Sequence, residues 1–211
     1  MNKYIEQLNS KDLSQELENI KSYALAHKVP IMVDEGLDFL LMLVKVLKPK
    51  RILEIGTAIG YSAIRMALVS EATIDTIERD QESYEIAKKN IILLNMQDRI
   101  NLHLADALSF DESVLTEKYD LLFIDAAKAQ YIKFFEKYTP LLNENGVVLT
   151  DNLLFHGLVT TDEEIASKNL RSLVRKINEY NHWLKENELF DTTFFAIGDG
   201  IAVSVKKCHS K

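Results

Sequence analysis

The run Arg51-Ile-Leu-Glu-Ile-Gly-Thr-Ala-Ile-Gly-Tyr-Ser62 passes from a short apolar strand, through a turn marked by Gly56 and Gly60, into a helix. Downstream the alternation repeats: 73–77 reads as a strand, 81–95 as a helix, 100–104 and 120–124 as strands, 130–138 as a helix and 146–150 as a strand. An amphipathic helix over 163–185 leads to two last strands, 192–197 and 201–205, joined by Gly198-Asp199-Gly200. Upstream, 12–27 and 34–48 read as helices, the second with Leu37, Leu40, Leu41, Val44 and Leu47 at helical spacing and Pro49 closing it. Strands alternating with helices in this way predict an α/β fold, a mostly parallel sheet with helices on both faces. The final pair has too short a connection for a parallel crossover and is expected to be antiparallel. No repeat, low-complexity block or linker interrupts the chain. Residues 1–211 are therefore expected to form a single domain, with N-terminal helices over 1–48 and the alternating core over 49–205.

Ligands of doubly wound sheets bind at the carboxyl ends of the strands. The first strand ends in Glu54, Gly56 and Thr57. Two glycines four apart allow a tight turn and close approach of a ligand to the backbone. Helix N–H groups around Tyr61 and Ser62 can then meet an anionic group. A dinucleotide fingerprint would need glycine where this chain has Ala58. An acid ahead of the turn suits a zwitterion such as the methionine part of S-adenosylmethionine, although a close strand–helix packing turn would use the same glycines. Glu78 ends the second strand, where a carboxylate can accept hydrogen bonds from a ribose diol; it also fits a solvated helix start. Asp106 and Ala107 follow the third, an acid for an adenine amino group and a small residue that admits the ring. Three successive strand ends thus offer partners to amino acid, ribose and base.

The next two strands end in Asp125, with Lys128 behind it, and in Asp151-Asn152. Hard oxygen ligands from Asp125, Asp151 and Asn152 around one point suit Mg²⁺ or another divalent cation, with positions left for substrate oxygens. Singly, the aspartates also read as helix caps and Asn152 as a turn residue. His27, His103, His156, His182 and His209 show no ligand spacing. Ser62 lacks the surroundings of a nucleophile elbow. The Asp199 turn fits a plain hairpin as well as a substrate mouth.

Composition narrows the class. The 211 residues are 47% hydrophobic, as in an ordinary globular protein, and the net charge of −7 opposes a broadly basic nucleic-acid coat. A local basic patch stays open: Arg171, Arg175 and Lys176 share one helical stretch, and Lys48, Lys50 and Arg51 precede a strand. Either cluster alone reads as a solvated face. No apolar run reaches the ~18–20 residues of a membrane helix, and the polar N-terminus carries no signal or transit pattern. A cytoplasmic protein without membrane contact is expected. Cys208 is the only cysteine, so neither an intrachain disulfide nor a cysteine metal cluster can form. The apolar faces of 34–48 and 163–185 are expected to serve the core or a homodimer contact.

With these residues together, the chain resembles the metal-dependent class I O-methyltransferases, the group of catechol and caffeoyl-CoA O-methyltransferases, from about Val29 to Val205. The resemblance implies a Rossmann-like seven-stranded sheet, S-adenosylmethionine as donor, and Mg²⁺ on Asp125, Asp151 and Asn152. Met32, Ser62, Glu78, Asp106, Ala107 and Asp125 match the family's donor-binding positions, and Lys128 its catalytic lysine. Within the group, Val29-Pro-Ile-Met32, Ile124-Asp-Ala-Ala-Lys-Ala-Gln-Tyr131 and Asp151-Asn-Leu-Leu-Phe-His-Gly157 are most similar to bacterial tRNA 5-hydroxyuridine methyltransferases. Ala129 stands where that group is expected to have glycine. Ala127 replaces the further acid of the plant caffeoyl-CoA enzymes and the bulky aromatic of the catechol enzymes.

The resemblance implies methylation of the 5-hydroxyl of a wobble uridine in the tRNA anticodon loop, giving 5-methoxyuridine. A metal would acidify that hydroxyl and Lys128 would take its proton. The acidic net charge opposes RNA affinity, but a looped-out base needs only a modest basic rim. Arg171, Arg175, Lys176 and Lys133 are candidates for it. The alternatives are a small catechol-like or caffeoyl-CoA-like acceptor and, in a different class, a non-catalytic RNA-binding protein on the same scaffold. A nicotinamide-dependent oxidoreductase is disfavoured by Ala58.

Overall fold

The computed structural model describes residues 3–9, 12–161 and 165–207. In chain order the elements are α1 (Lys3–Asn9), α2 (Gln15–His27), α3 (Asp34–Leu47), β1 (Arg51–Ile55), α4 (Tyr61–Leu68), β2 (Thr73–Glu78) and α5 (Gln81–Leu93). They continue with β3 (Ile100–Leu104), β4 (Tyr119–Ile124), α6 (Tyr131–Tyr138), β5 (Leu142–Thr150), α7 (Lys168–Lys185), β6 (Phe190–Phe195) and β7 (Ile201–Lys206). The seven strands form one sheet in the order β3-β2-β1-β4-β5-β7-β6. Strands β1 to β5 pair in parallel, and β7 runs antiparallel to both β5 and β6. This is the expected Rossmann-like α/β fold.

Strand residues alternate between the two faces, and in this sheet both faces are buried. Ile52, Leu121, Phe123, Val147 and Leu149 pack with apolar residues of α2, α3, α4 and α5. Their neighbours Leu53, Leu122, Ile124 and Val148 pack on the other side with Phe134, Phe135, Tyr180 and Leu184 of α6 and α7. Burying each large apolar side chain contributes about 1.5–3 kcal/mol. Several helices start on side-chain caps: Ser14 accepts from the Leu17 N–H, Asp80 from Ser83 and Ser167 from Leu170.

Some boundaries differ from the sequence expectation. The helix expected over 163–185 begins at Lys168, because Ser167 caps it there; 163 and 164 lie outside the described residues, as do Cys208 and His209. Strand β6 starts two residues earlier than 192, where the Asn187 side chain accepts from the Leu189 and Phe190 N–H groups. Its end is drawn back by the Gly200 N–H bonding to Ile197 O, which closes the turn to β7. Helix α1 sits in a segment read only as polar, and the helix expected over 12–27 starts at Gln15, after its Ser14 cap. Among the described residues no helix is long and apolar enough to cross a membrane.

Candidate active site

The sheet order reverses between β1 and β4, and the carboxyl ends of these strands open into a cavity of about 310 Å³. Met32, Gly56, Thr57, Ser62, Glu78, Asp106, Ala107, Asp125 and Lys128 all line it. Gly56 has φ 102°, and a β-carbon there would overlap the carbonyl oxygen of Asp125, so only glycine lets β1 and β4 close the cleft floor. Glu78 is fixed by backbone: the Ala58 N–H donates to Oε2 and the Asp80 N–H to Oε1, each at 2.8 Å. Asp106 accepts from the Leu108 N–H at 2.8 Å, and the adjoining Ala107 adds no bulk to the wall.

Glu54 stands behind the cleft rather than on its surface. It is fully buried, accepting from Ser62 Oγ and Thr76 Oγ1 at 2.5 Å each. Burial pushes its carboxyl up to about 7; the two hydroxyls pull it down, and Asp125 and Glu78 raise it further. Of the expected donor residues it alone reaches the cleft through another side chain, Ser62.

Asp125 lines the cleft and Asp151 and Asn152 stand behind it, outside the lining, where the two aspartates converge on one atom. Asn152 Nδ2 donates to Asp125 Oδ1 at 3.0 Å and to Asp151 Oδ2 at 2.9 Å. Asp151 is 1% exposed, and its Oδ1 has no hydrogen-bond partner. Burial, then the charge of Asp125, push Asp151 up to about 8. Asp125 is raised too, by burial first and by Asp199, against the pull of Lys128. Asn152 holds φ 65°, a left-handed conformation that asparagine tolerates. Tyr131 OH donates to Asp151 O at 3.0 Å, and the Asn181 amide to Leu153 O at 3.0 Å, so α6 and α7 anchor the loop from below.

Lys128 opens a short 3₁₀ turn, Lys128–Gln130, and its Nζ lies 5.8 Å from the centre of the Phe155 ring. A second cavity, about 410 Å³, opens on another side of Lys128 and is lined also by Lys133 and Lys176. Of the four basic residues considered for a rim, these two stand beside the site. Arg171 instead turns back onto Ile165 O and Ala166 O, and Arg175 lies 3.7 Å from Glu179. Sequence spacing gave no sign of Phe155 or Tyr131 as parts of the site, and it left Asp199 undecided. Among the described residues no three His, Cys, Asp or Glu side chains cluster as a metal site.

A family model described as O-methyltransferase matches residues 7–207. A caffeoyl-CoA O-methyltransferase from Populus kitakamiensis is 31% identical over 196 residues, covering 89% of this chain and 83% of its own. A presumed caffeoyl-CoA O-methyltransferase of known structure from Staphylococcus aureus has a TM-score of 0.91 at 40% identity, over 97% of this chain and 98% of that one. An O-methyltransferase from Bacillus cereus, solved in complex with SAH, has a TM-score of 0.81 at 25% identity, over 98% and 96%. With a strand-end cleft of this shape and a family match across nearly its whole length, the chain belongs to the S-adenosylmethionine-dependent O-methyltransferase family.

Proposed function

We propose that the chain methylates the 5-hydroxyl of 5-hydroxyuridine at the wobble position of tRNA, with help from a divalent cation such as Mg²⁺. The observation that carries the metal-assisted chemistry is the convergence of Asp125, Asp151 and Asn152 at the back of the donor cleft, beside Lys128. Two desolvated carboxylates and an orphaned Asp151 Oδ1 fit a small hard cation. A half turn of the Asn152 amide presents oxygen where nitrogen now points. When bound, the cation supplies Lewis-acid polarisation of the acceptor hydroxyl.

The remaining work falls to the chain. Met32, Gly56, Thr57, Ser62, Glu78, Asp106 and Ala107 hold the donor, with Glu54 setting Ser62 from behind. In its amine form, with a free lone pair, Lys128 receives the hydroxyl proton on Nζ and becomes the ammonium. The cleft fixes the hydroxyl oxygen in line with the methyl–sulfur bond, an orientation effect. Ala126 and Ala127 leave room for a nucleobase beside Asp125, and Lys133 and Lys176 offer a basic flank to a looped-out strand. We take the working unit to be a cytoplasmic homodimer; the exposed Met42 and Val46 of α3 suit such a contact, and sedimentation tests it.

A second reading, a small vicinal diol or caffeoyl-CoA-like acceptor, is favoured by the names of the relatives, a caffeoyl-CoA and a flavonoid 3',5'-methyltransferase among them. Purified enzyme, labelled donor and Mg²⁺ are incubated with hydroxyuridine-containing tRNA, catechol and caffeoyl-CoA. Label is expected in tRNA, to vanish with a chelator and return with Mg²⁺. Label in the small molecules alone would replace the acceptor, and full turnover in metal-free buffer would remove the cation.

A further inference from the structure

The loop that follows Asn152 is held in an unfavourable shape. Phe155 has φ 46° and His156 φ 56°, consecutive left-handed residues with no glycine between them. Such a pair persists only when its surroundings over-determine it. The surroundings here are the turn between β6 and β7. Leu153 N–H donates to Gly200 O at 3.0 Å and Leu154 N–H to Asp199 O at 2.8 Å. The His156 N–H donates to the Asp199 carboxylate itself, at Oδ1. Asp199 is 9% exposed, and its other oxygen, Oδ2, is buried without a hydrogen bond, 3.6 Å from His156 Nδ1.

The turn is wedged from both sides. A β-carbon on Gly200 would come within 2.6 Å of Leu154 Cγ, and one on Gly198 within 2.8 Å of Val33 Cγ2. Val33 follows Met32, a wall of the donor cleft. The turn therefore touches the donor wall on one side and the loop after the metal-ligand candidates on the other.

We infer that Asp199 is a positioning residue: its carboxylate pins the Phe155-His156 pair so that the Phe155 ring stays over Lys128 and forms the lip against which a planar acceptor stacks. This rests on the acceptor side proposed above. Loss of the carboxylate leaves the His156 N–H without a partner and frees the two left-handed residues to relax. The turn's own backbone hydrogen bonds do not involve the carboxylate, so Gly198 still backs Val33 and the donor wall beside it stays in place.

The test compares full-length Asp199→Ala with Asp199→Asn, which keeps an acceptor oxygen for the His156 N–H. Asp199→Ala is expected to speed amide exchange at His156 about tenfold or more, the effect of losing a hydrogen bond to a charged acceptor. It should also raise KM for hydroxyuridine tRNA or catechol by a similar factor and leave donor affinity unchanged; Asp199→Asn should restore both. Wild-type exchange and KM in Asp199→Ala overturn the inference, as does equal damage in Asp199→Asn or a matching loss of donor binding. If the wild type methylates neither acceptor, the proposed function fails separately, and exchange at His156 alone decides the role of Asp199.

Discussion

Glu54 is pushed up to about 7 because burial penalises its charge more than Ser62 and Thr76 can offset, so its carboxyl exchanges a proton near neutral pH. A donor with an ammonium and a sulfonium group brings positive charge into the adjoining cleft and favours the ionised carboxylate. The carboxyl then titrates below about 7 in the complex, so between the two values donor binding must release a proton. Calorimetry in two buffers of different ionisation enthalpy at slightly acid pH is expected to show that release, and Glu54→Gln to abolish it. Identical heats in both buffers would sink the linkage. Lys128 presents a different case, since its proposed role lies in the transition state. Lys128→Met is expected to keep donor and metal affinity while losing about 10²–10⁴-fold in turnover, the usual contribution of a positioned base. A saturated rate equal to wild type would pass that role to another group.

Among the elements, β2 is stitched to three neighbours by one side chain. Asp75 accepts from Arg51 of β1 at 2.7 Å, Tyr119 of β4 at 2.9 Å, and Asn101 of β3 at 3.2 Å, with His103 Nε2 also 3.2 Å away. Burial opposes its charge, yet the hydrogen bonds from His103, Tyr119 and Asn101 and the charge of Arg51 hold it below the ordinary aspartate value. A carboxyl depressed in the folded state adds stability that is full above its unfolded pKa, about 3.9, and is lost as pH falls through its folded value. Asp75→Asn is accordingly expected to cost about 1–3 kcal/mol at pH 7 and progressively less against wild type toward pH 3, read by denaturant unfolding at each pH. A gap that does not change with pH would rule this out. The inner strands were legible because burial on both faces makes them near-continuous apolar runs. Strand β6, with Asp191, Thr192 and Thr193, has no such run, and the Asn187 side chain sets its start. The start of α7 depends on the Ser167 cap and was equally hidden from a count of apolar spacing.

Across the whole molecule, most of the cleft was legible because its residues from Gly56 onward follow strands whose carboxyl ends the topology brings to one edge; Met32, which precedes every strand, was marked only by the family resemblance. Asp199 joins the site through its bond to His156, 43 residues away, and Phe155 through its contact with Lys128, and linear spacing carries no trace of either. The reversal of strand order between β1 and β4 also divides the labour. The walls assigned to the donor come mainly from residues 30–108, whereas the proposed reacting groups and acceptor lip come from 125–156 and the turn at 198–200. Transplanting residues 152–161 together with the matching turn from the Populus kitakamiensis relative is therefore expected to move acceptor preference toward caffeoyl-CoA while donor affinity stays within about twofold, a change of roughly 0.4 kcal/mol. Competition between acceptors in one reaction reads the shift; a chimera that loses donor affinity instead would show the halves to be inseparable. A lineage inheriting such a chain can diversify what it modifies by drift in one loop and one turn, with its donor grip passed down unaltered.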